Sequence, residues 1–263
     1  MSFDRIGLIA MEEDNLQARI DNIFARIDAA CARVGRDPLS VQLVAVSKTF
    51  PPEVVDEARA CGLSLFGENR VQEAVAKSQL CGSAEWHLIG PLQRNKIKHA
   101  LPLFSCIHSL DNVKLIEQLA QACEESGARP DVLLEVNVAG EASKHGFTPK
   151  TVREGVEAAM AGGLRLVGLM TVPPWTPDPE GSRKYFRQLR ELRDALEQEY
   201  SISLPELSMG MSGDFEVAIE EGATFVRVGT ALFGVRKAKK WAPQSTGLTT
   251  DEFSRSLDTD DFV

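Results

Sequence analysis

A lysine that directly follows an apolar, β-branched segment is the residue of this chain best suited to covalent chemistry. The segment VQLVAVS (residues 41–47) has the length and composition of a buried strand, and Lys48 comes next. Burial penalises a charged ammonium group and therefore lowers the pKa of a lysine. The neutral amine is the form that condenses with a carbonyl compound to give a Schiff base. Most lysines at strand ends are simply solvated, so Lys48 needs independent support.

Two glycine-containing segments near the C-terminus are typical of a phosphate site. They are MGMSGDF (209–215), with Gly210 and Gly213, and VGTALFG (228–234), with Gly229. Glycines let a phosphate approach the backbone closely, and the hydroxyl groups of Ser212 and Thr230 add donors. The alternative is that both hydroxyls only cap helices. The Asp214 carboxylate would repel a phosphate unless it pointed away.

An arginine interrupts the apolar segment TFVRVG (224–229). Strand alternation puts Arg227 on the same face as Phe225 and Gly229. A sheet-facing arginine needs an acceptor, which a pyridine nitrogen or a carboxylate from another strand would supply. A lysine amine, a phosphate cup and an arginine facing a ring together describe a site for pyridoxal 5'-phosphate (PLP).

Eight short apolar segments, each followed by a helical pattern, must position these groups. They lie at residues 41–47, 63–67, 85–90, 104–109, 131–137, 164–170, 204–210 and 224–229. Strands that alternate with helices predict right-handed βαβ units and a parallel sheet, and eight units favour closure into a barrel. The predicted fold is therefore α/β, a single (β/α)8 TIM barrel. An extra N-terminal helix at 12–34 would cover the barrel bottom or join the helix ring.

Such barrels carry their functional site at the carboxyl ends of the strands. In chain order, the polar residues there are Lys48, Asn69, His87, Ser109, Asn137, Thr171, Ser212 and Arg227. We expect these residues to converge on one end of the barrel. Among the connecting helices, we expect one at 91–101, one capped by Asp111, and one that begins at Thr148 and Pro149.

The composition limits the class of protein. A chain of 263 residues suits one α/β barrel, and its net charge of −9 disfavours binding to nucleic acid or to anionic membranes. Five cysteines without a CxxC motif predict neither a disulfide framework nor a zinc site, and favour the reducing cytoplasm. No segment approaches the roughly 20 apolar residues of a membrane span.

Seven motifs in order carry a resemblance to a known family. They are LVAVSKTFPPEVVDEA, LFGENRVQEA, WHLIGPLQRNK, SLD, LEVNVAGEASKHGF, LVGLMTV and LSMGMSGDFEVAIEEGATFVRVGTALFG. The chain resembles the YggS/PROSC pyridoxal phosphate homeostasis proteins over residues 12–236. The resemblance implies a PLP-binding barrel like the N-terminal domain of alanine racemase. Residues 1–11 would form an extension, and 237–263 a polar, acidic tail that we expect to be partly disordered.

The resemblance also implies a set of cofactor-binding residues. Lys48 would form the Schiff base, and Arg227 would lie near the pyridine nitrogen. Ser212, Gly229 and Thr230 would contact the phosphate, and Asn69 would line the pocket. His87 would either line the pocket as well or serve as a buried structural histidine.

The residues leave more than one function open. The resemblance implies a cytoplasmic carrier that stores, delivers or buffers PLP, affects amino-acid balance and transiently contacts PLP-dependent apoenzymes. The alternative is an amino-acid racemase of low activity. Racemisation needs an acid/base group on each side of the α-carbon, yet both tyrosines, Tyr185 and Tyr200, lie in a helix far from the strand ends. We therefore predict no robust catalytic turnover. We also expect a monomer, since the racemase dimer depends heavily on a separate β-domain for which this chain has no room.

Two further hypotheses concern a different substrate and a second binding site. A phosphosugar enzyme with an unrelated Lys48 would have the same barrel. Lys144 and His145, in the loop after the fifth strand, would either form a transient second PLP site or belong to a solvated loop.

Overall fold

The computed structural model describes residues 15–141, 144–234 and Trp241. Eight parallel strands close into a barrel in chain order, with the last strand beside the first. The strands are β1 (Gln42–Val46), β2 (Leu65–Glu68), β3 (Glu85–Leu88), β4 (Phe104–Leu110), β5 (Asp131–Glu135), β6 (Arg165–Met170), β7 (Glu206–Met211) and β8 (Phe225–Val228). The predicted (β/α)8 barrel is therefore confirmed.

Helices surround the barrel and connect its strands. Within the described residues they are α1 (Leu16–Arg33), α2 (Pro52–Ala60), α3 (Val71–Ser78), α4 (Ile97–Ala100), α5 (Val113–Ser126), α6 (Val152–Ala161), α7 (Arg183–Tyr200), α8 (Phe215–Glu220) and α9 (Thr230–Phe233). Short 3₁₀ turns precede β1, α4 and α7. A helix between consecutive strands is what a parallel sheet requires.

Strand alternation divides the buried side chains into two layers. Val226 and Val228 of β8 pack in the large apolar layer between the barrel and the helices. Phe225 of the same strand packs instead with Val44 and Leu65, in a small cluster inside the barrel. The predicted alternation of β8 is confirmed, and Arg227 lies on the inner face with Phe225.

The N-terminal helix joins the helix ring. Asn15 caps α1 by accepting a hydrogen bond from the Ala18 N–H group. Arg26 of α1 lies over the Phe215 ring at 4.5 Å and pairs with Glu216, both on α8. Phe24, which the sequence pattern assigns to the apolar face, is exposed.

Three helix boundaries differ from those predicted. Asn112, rather than Asp111, caps α5 by accepting from the Leu115 N–H group. Helix α6 begins at Val152, because Thr148 forms a turn whose hydroxyl accepts from the Thr151 N–H group. The segment expected to form one helix at 91–101 contains a 3₁₀ turn at Arg94–Lys96 before α4. A cap side chain can serve a turn instead of a helix, which explains the second difference.

The proposed chain ends stay predictions. Residues 1–11 lie outside the described residues, as does the tail at 237–263 apart from Trp241. Among the described helices, none combines the length and the apolar character needed to cross a bilayer.

Candidate functional site

Lys48 lies at the carboxyl end of the barrel, next to the strand that carries Arg227. In the β1–β8 ladder, Val44 is the partner of Arg227. Val44 points into the barrel, so alternation along the chain puts Lys48 on the same inner side. Its side chain is half-buried at the barrel mouth. The structure thus puts both predicted residues on the inner side of the barrel, at the β1–β8 pair.

The backbone at Lys48 forms a tight turn. The Phe50 N–H group donates to the Ser47 carbonyl over 3.0 Å, which makes Lys48 and Thr49 the central residues. Thr49 has a φ of +68°, in the left-handed region where glycine is the usual residue. A β-branched residue in this region is strained by about 1–3 kcal/mol. The surrounding contacts must therefore hold the turn that presents Lys48.

Arg227 is buried and has two hydrogen-bond acceptors. Its Nη1 donates to Ser208 Oγ over 2.5 Å, and its Nη2 donates to the Thr171 carbonyl over 2.8 Å. A hydroxyl and a carbonyl thus take the place of the carboxylate or ring nitrogen that the sequence suggested. Burial lowers the pKa of Arg227 to about 10, although nearby Glu135 and Asp214 oppose this shift. The guanidinium group therefore remains a cation and an obligate donor at neutral pH.

Two histidines fill the barrel interior beneath Arg227. His108 Nδ1 lies 2.8 Å from Ser208 Oγ, and His108 Nε2 lies 3.0 Å from His87 Nδ1. The His87 ring also makes an edge contact with Phe225 at 5.3 Å. Burial lowers the pKa of His87 to about 4, and that of His108 falls well below its ordinary value for the same reason. Both rings are neutral, and the structural alternative for His87 is the one supported.

The two predicted phosphate-binding segments come together at the start of α9. Ser212 Oγ accepts from the N–H groups of Gly229 over 3.3 Å and Ala231 over 3.2 Å. Ser212 therefore acts as a cap here, although it comes from the end of a different strand. Thr230 is exposed at the first position of α9. Asp214 is held in its own turn, where its carboxylate accepts from the Met211 N–H group.

Asn69 contributes an unsatisfied acceptor at the barrel mouth. Its Oδ1 atom is buried and accepts no hydrogen bond from the described residues. Gly90 makes room for the backbone of Asn69, because a Cβ at position 90 would come within 2.5 Å of the Asn69 carbonyl oxygen. A buried acceptor without a partner is costly, so a donor from a bound molecule would fit here.

Three other strand-end residues serve the scaffold instead. Asn137 both donates to and accepts from the backbone of Glu141, which closes its own loop. Thr171 donates its hydroxyl proton to the Val136 carbonyl. Ser109 donates to the Gly90 carbonyl over 2.6 Å. Of the eight polar groups expected to converge, Lys48, Asn69, Ser212 and Arg227 therefore remain the candidates for one site.

Several buried polar residues near the site were not predicted from the sequence. They are the barrel-interior Ser208 and His108, and a buried group formed by Glu68, Glu73 and Lys77. Ser208 and His108 do leave a signal, since each is a polar residue within a largely apolar strand. The buried group leaves a weaker signal, because Glu73 and Lys77 lie on a short helix, where charged residues normally face water.

Comparisons with known proteins show the family. Residues 19–237 match the family described as alanine racemase, N-terminal domain. The pyridoxal phosphate homeostasis protein of Aquifex aeolicus is 49% identical over 211 residues, which cover 79% of this chain and 92% of that protein. The human protein of the same name is 39% identical, covering 80% of this chain and 83% of its own length. This chain belongs to the pyridoxal phosphate homeostasis protein family.

Solved structures agree with this assignment. PipY of Synechococcus elongatus, determined with PLP bound, is 37% identical with a TM-score of 0.73. The match covers 84% of this chain and 100% of PipY. An alanine racemase from Clostridium difficile has a TM-score of 0.64 but only 14% identity, over 86% of this chain and 57% of that enzyme. The racemase likeness therefore shows the fold alone.

Proposed function

We propose that this protein binds PLP as a Schiff base on Lys48 and acts in intracellular PLP homeostasis, and so indirectly in amino-acid balance. One observation carries the proposal: Lys48 follows the end of β1 and Arg227 lies on β8, the strand paired with β1, in a family that includes a PLP-bound structure. When bound, PLP supplies an aldehyde that condenses with a neutral amine.

The residues at the mouth fit this cofactor. The N–H groups of Gly229 and Ala231 point to a single position, which the Ser212 hydroxyl oxygen takes. A phosphate oxygen is a stronger acceptor than a hydroxyl, so it would take those two donors and accept from Ser212 and Thr230 as well. The buried Oδ1 of Asn69 would accept from a donor of the bound molecule.

Arg227 favours binding over catalysis. It has five N–H donors, and Ser208 and Thr171 take two of them. A remaining donor directed at the pyridine nitrogen would keep that nitrogen unprotonated. An unprotonated ring withdraws electrons weakly, which slows the reactions of bound amino acids.

The two tyrosines do not supply a second acid/base group inside the barrel. The Tyr200 hydroxyl donates to Glu157 over 2.8 Å at the end of α7. Tyr185 lies nearer the barrel rim than the sequence suggested, since it lines a cavity of about 370 Å³ with Val138 and Ala139 after β5. It nevertheless packs against the layer outside the barrel. This arrangement supports a binding protein with little turnover.

The composition of the chain supports a reducing, cytoplasmic setting. All five cysteines are free thiols, as a reducing compartment would keep them. The net charge of −9 disfavours nucleic acid and anionic membranes as partners. We expect a cytoplasmic monomer that passes PLP to apoenzymes through transient contacts.

Borohydride trapping tests the proposed function. The purified protein is mixed with PLP, its visible absorption is recorded, and the reduced protein is digested for mass spectrometry. We expect a yellow protein with one pyridoxyl label, on Lys48. Lys48→Ala should abolish the label, and Lys144→Ala, in the exposed loop after β5, should leave it unchanged. A wild-type protein labelled on another lysine and not on Lys48 would contradict the proposal.

Two assays on the same preparation separate a carrier from an enzyme. A carrier should activate a PLP-dependent apoenzyme when the holoprotein is added, and should show no robust alanine racemase activity. Fast racemisation would instead support the racemase alternative. A colourless protein with fast turnover of a sugar phosphate would make Lys48 a bystander, and a label on Lys144 would support the second PLP site.

A further inference from the structure

A buried ionic cluster lies directly behind Lys48, and the proposed function does not use it. It consists of Lys77 on α3 and two carboxylates, Glu68 at the end of β2 and Glu73 on α3. The Lys77 ammonium group lies 2.6 Å from Glu68 Oε1 and 2.8 Å from Glu73 Oε1. Lys77 and Glu68 are fully buried. Ion pairs with this degree of burial seldom add stability compared with apolar residues, so the cluster calls for another explanation.

The cluster holds both peptide groups of Lys48. Lys77 Nζ donates its third proton to the Ser47 carbonyl over 2.8 Å, which belongs to the peptide group before Lys48. The Thr49 N–H group, in the peptide group after Lys48, donates to Glu73 Oε1 over 2.5 Å. The Ser47 hydroxyl also donates to Glu68 Oε1 over 2.7 Å. The cluster therefore restrains the peptide groups on both sides of Lys48, and with them its φ and ψ angles.

The cluster and the cofactor site lie on opposite sides of the barrel wall. Ser47 and Glu68 point outward to Lys77, whereas Lys48 and Asn69, each the next residue along the chain, take the opposite side. Contacts made behind the wall thus determine how residues project into the mouth. They also maintain the left-handed conformation of Thr49, which a β-branched residue would otherwise leave.

Trp241 covers the outer side of the same cluster. Its backbone N–H group donates to the Thr49 carbonyl over 3.1 Å, and its ring lies 5.3 Å from Lys77 Nζ. An aromatic face next to a buried ammonium group stabilises the charge and excludes water. The carbonyl of Thr49 is therefore restrained together with its N–H group.

We infer that Glu68, Glu73 and Lys77 form a positioning cluster, which clamps the turn at Lys48 and sets the approach of its amine to a carbonyl ligand. The inference rests on the proposed function of Lys48 in PLP binding. It assigns no direct contact with PLP to the three residues. Their effect passes through the backbone of Ser47 and Thr49.

Hydrogen exchange and Schiff-base kinetics test this inference. Glu73→Ala removes the acceptor of the Thr49 N–H group, and we expect exchange of that amide in the ligand-free protein to rise by about tenfold. We also expect Schiff-base formation with PLP to slow by about tenfold, because the amine loses its orientation. Affinity for pyridoxine 5'-phosphate, which lacks the aldehyde, should stay unchanged. Glu73→Gln keeps an acceptor and should restore both rates.

A matched control separates positioning from general stability. Glu221 is another buried carboxylate, which forms ion pairs with Arg183, Arg187 and Arg190 just after α8. Glu221→Ala should lower stability without changing the Schiff-base rate. An unchanged rate in Glu73→Ala, with faster amide exchange, would overturn the inference and leave a merely structural cluster. A wild-type protein without a label on Lys48 would contradict the proposed function instead. Amide exchange at Thr49 would still show whether the positioning cluster holds the turn.

Discussion

His108 Nε2 lies 3.0 Å from His87 Nδ1, inside a barrel wall that excludes water from both rings. The direction of this hydrogen bond follows from Arg227. Because the guanidinium group can only donate, Ser208 Oγ accepts from it. The buried Ser208 hydroxyl then donates its own proton to His108 Nδ1, the acceptor 2.8 Å away. This places the His108 proton on Nε2, which donates to His87, because a proton on Nδ1 would leave the buried Ser208 hydroxyl without that acceptor.

We accordingly predict that both histidines are neutral Nε2–H tautomers. Nitrogen-15 chemical shifts of histidine-labelled protein at pH 7 would check this. The exposed His145 provides the reference ring. The opposite tautomer at His108 would contradict the chain of donors from Arg227.

The same burial makes the protein sensitive to acid. The pKa of His87 in the folded state, about 4, lies below its ordinary value of 6.5, so the unfolded chain binds the proton more tightly. Stability is therefore lost as the pH falls from 6.5 to 4, by roughly 2 kcal/mol at pH 5 from His87 alone. Urea unfolding between pH 7 and pH 5 should show a steeper loss for the wild type than for His87→Gln. His145→Gln is the control, and equal slopes for wild type and His87→Gln would refute the prediction.

Glu68 should produce the opposite trend. Burial raises its pKa to about 7, with a further contribution from Glu73 that the Lys77 ammonium opposes. A raised folded-state pKa means that the favourable contribution is complete below pH 4.5 and is lost as the pH rises through about 7. Glu68→Gln should thus gain stability relative to the wild type at pH 8 and not at pH 5. Urea denaturation at the two pH values measures this difference.

Glu221 serves as the comparison for that experiment. Arginine hydrogen bonds lower its pKa although burial opposes them, so its contribution is lost as the pH falls. Glu221→Gln should therefore cost stability at pH 8. A Glu68→Gln variant that behaved in the same way would show that Glu68 stays ionised throughout.

Ser212 offers a test of the phosphate site. We expect Ser212→Ala to weaken PLP binding by about tenfold, the value of one hydrogen bond to a charged group. Pyridoxal, which lacks the phosphate, should bind both proteins equally. Titration by absorbance gives both dissociation constants. If Ser212 only caps α9, the variant should lose about 1 kcal/mol of stability and keep its preference for PLP.

The patterns along the chain were sufficient for the fold, and they supplied the candidate residues of the site. β-Branched apolar segments and the helical patterns between them predicted all eight strands in order, because the side-chain period of each element is a local property. Lys48 and Arg227 stood out for the same reason, as charged residues at or inside apolar strands. Helix starts were less accurate, since Asp111 and Asn112 are equally good caps and only packing chooses between them.

Only the tertiary structure decided which groups meet. Glu68 and Lys77 are nine residues apart in sequence, and the carbonyl that Lys77 also binds belongs to Ser47, 30 residues away. Nothing local marks Lys77 as buried, because a lysine on a short helix ordinarily faces water. The link from Arg227 through Ser208 to His108 likewise joins three strands.

The sequence by itself thus determined the barrel and the family resemblance, because strand and helix periods and linear motifs are local properties of the chain. It also supplied the residues that we propose to hold PLP. Closure of the barrel decided the hydrogen-bond partners of Arg227, the buried cluster behind Lys48 and the neutral histidine pair. These features depend on contacts between distant segments and on the exclusion of water, and both exist only once the sheet has closed.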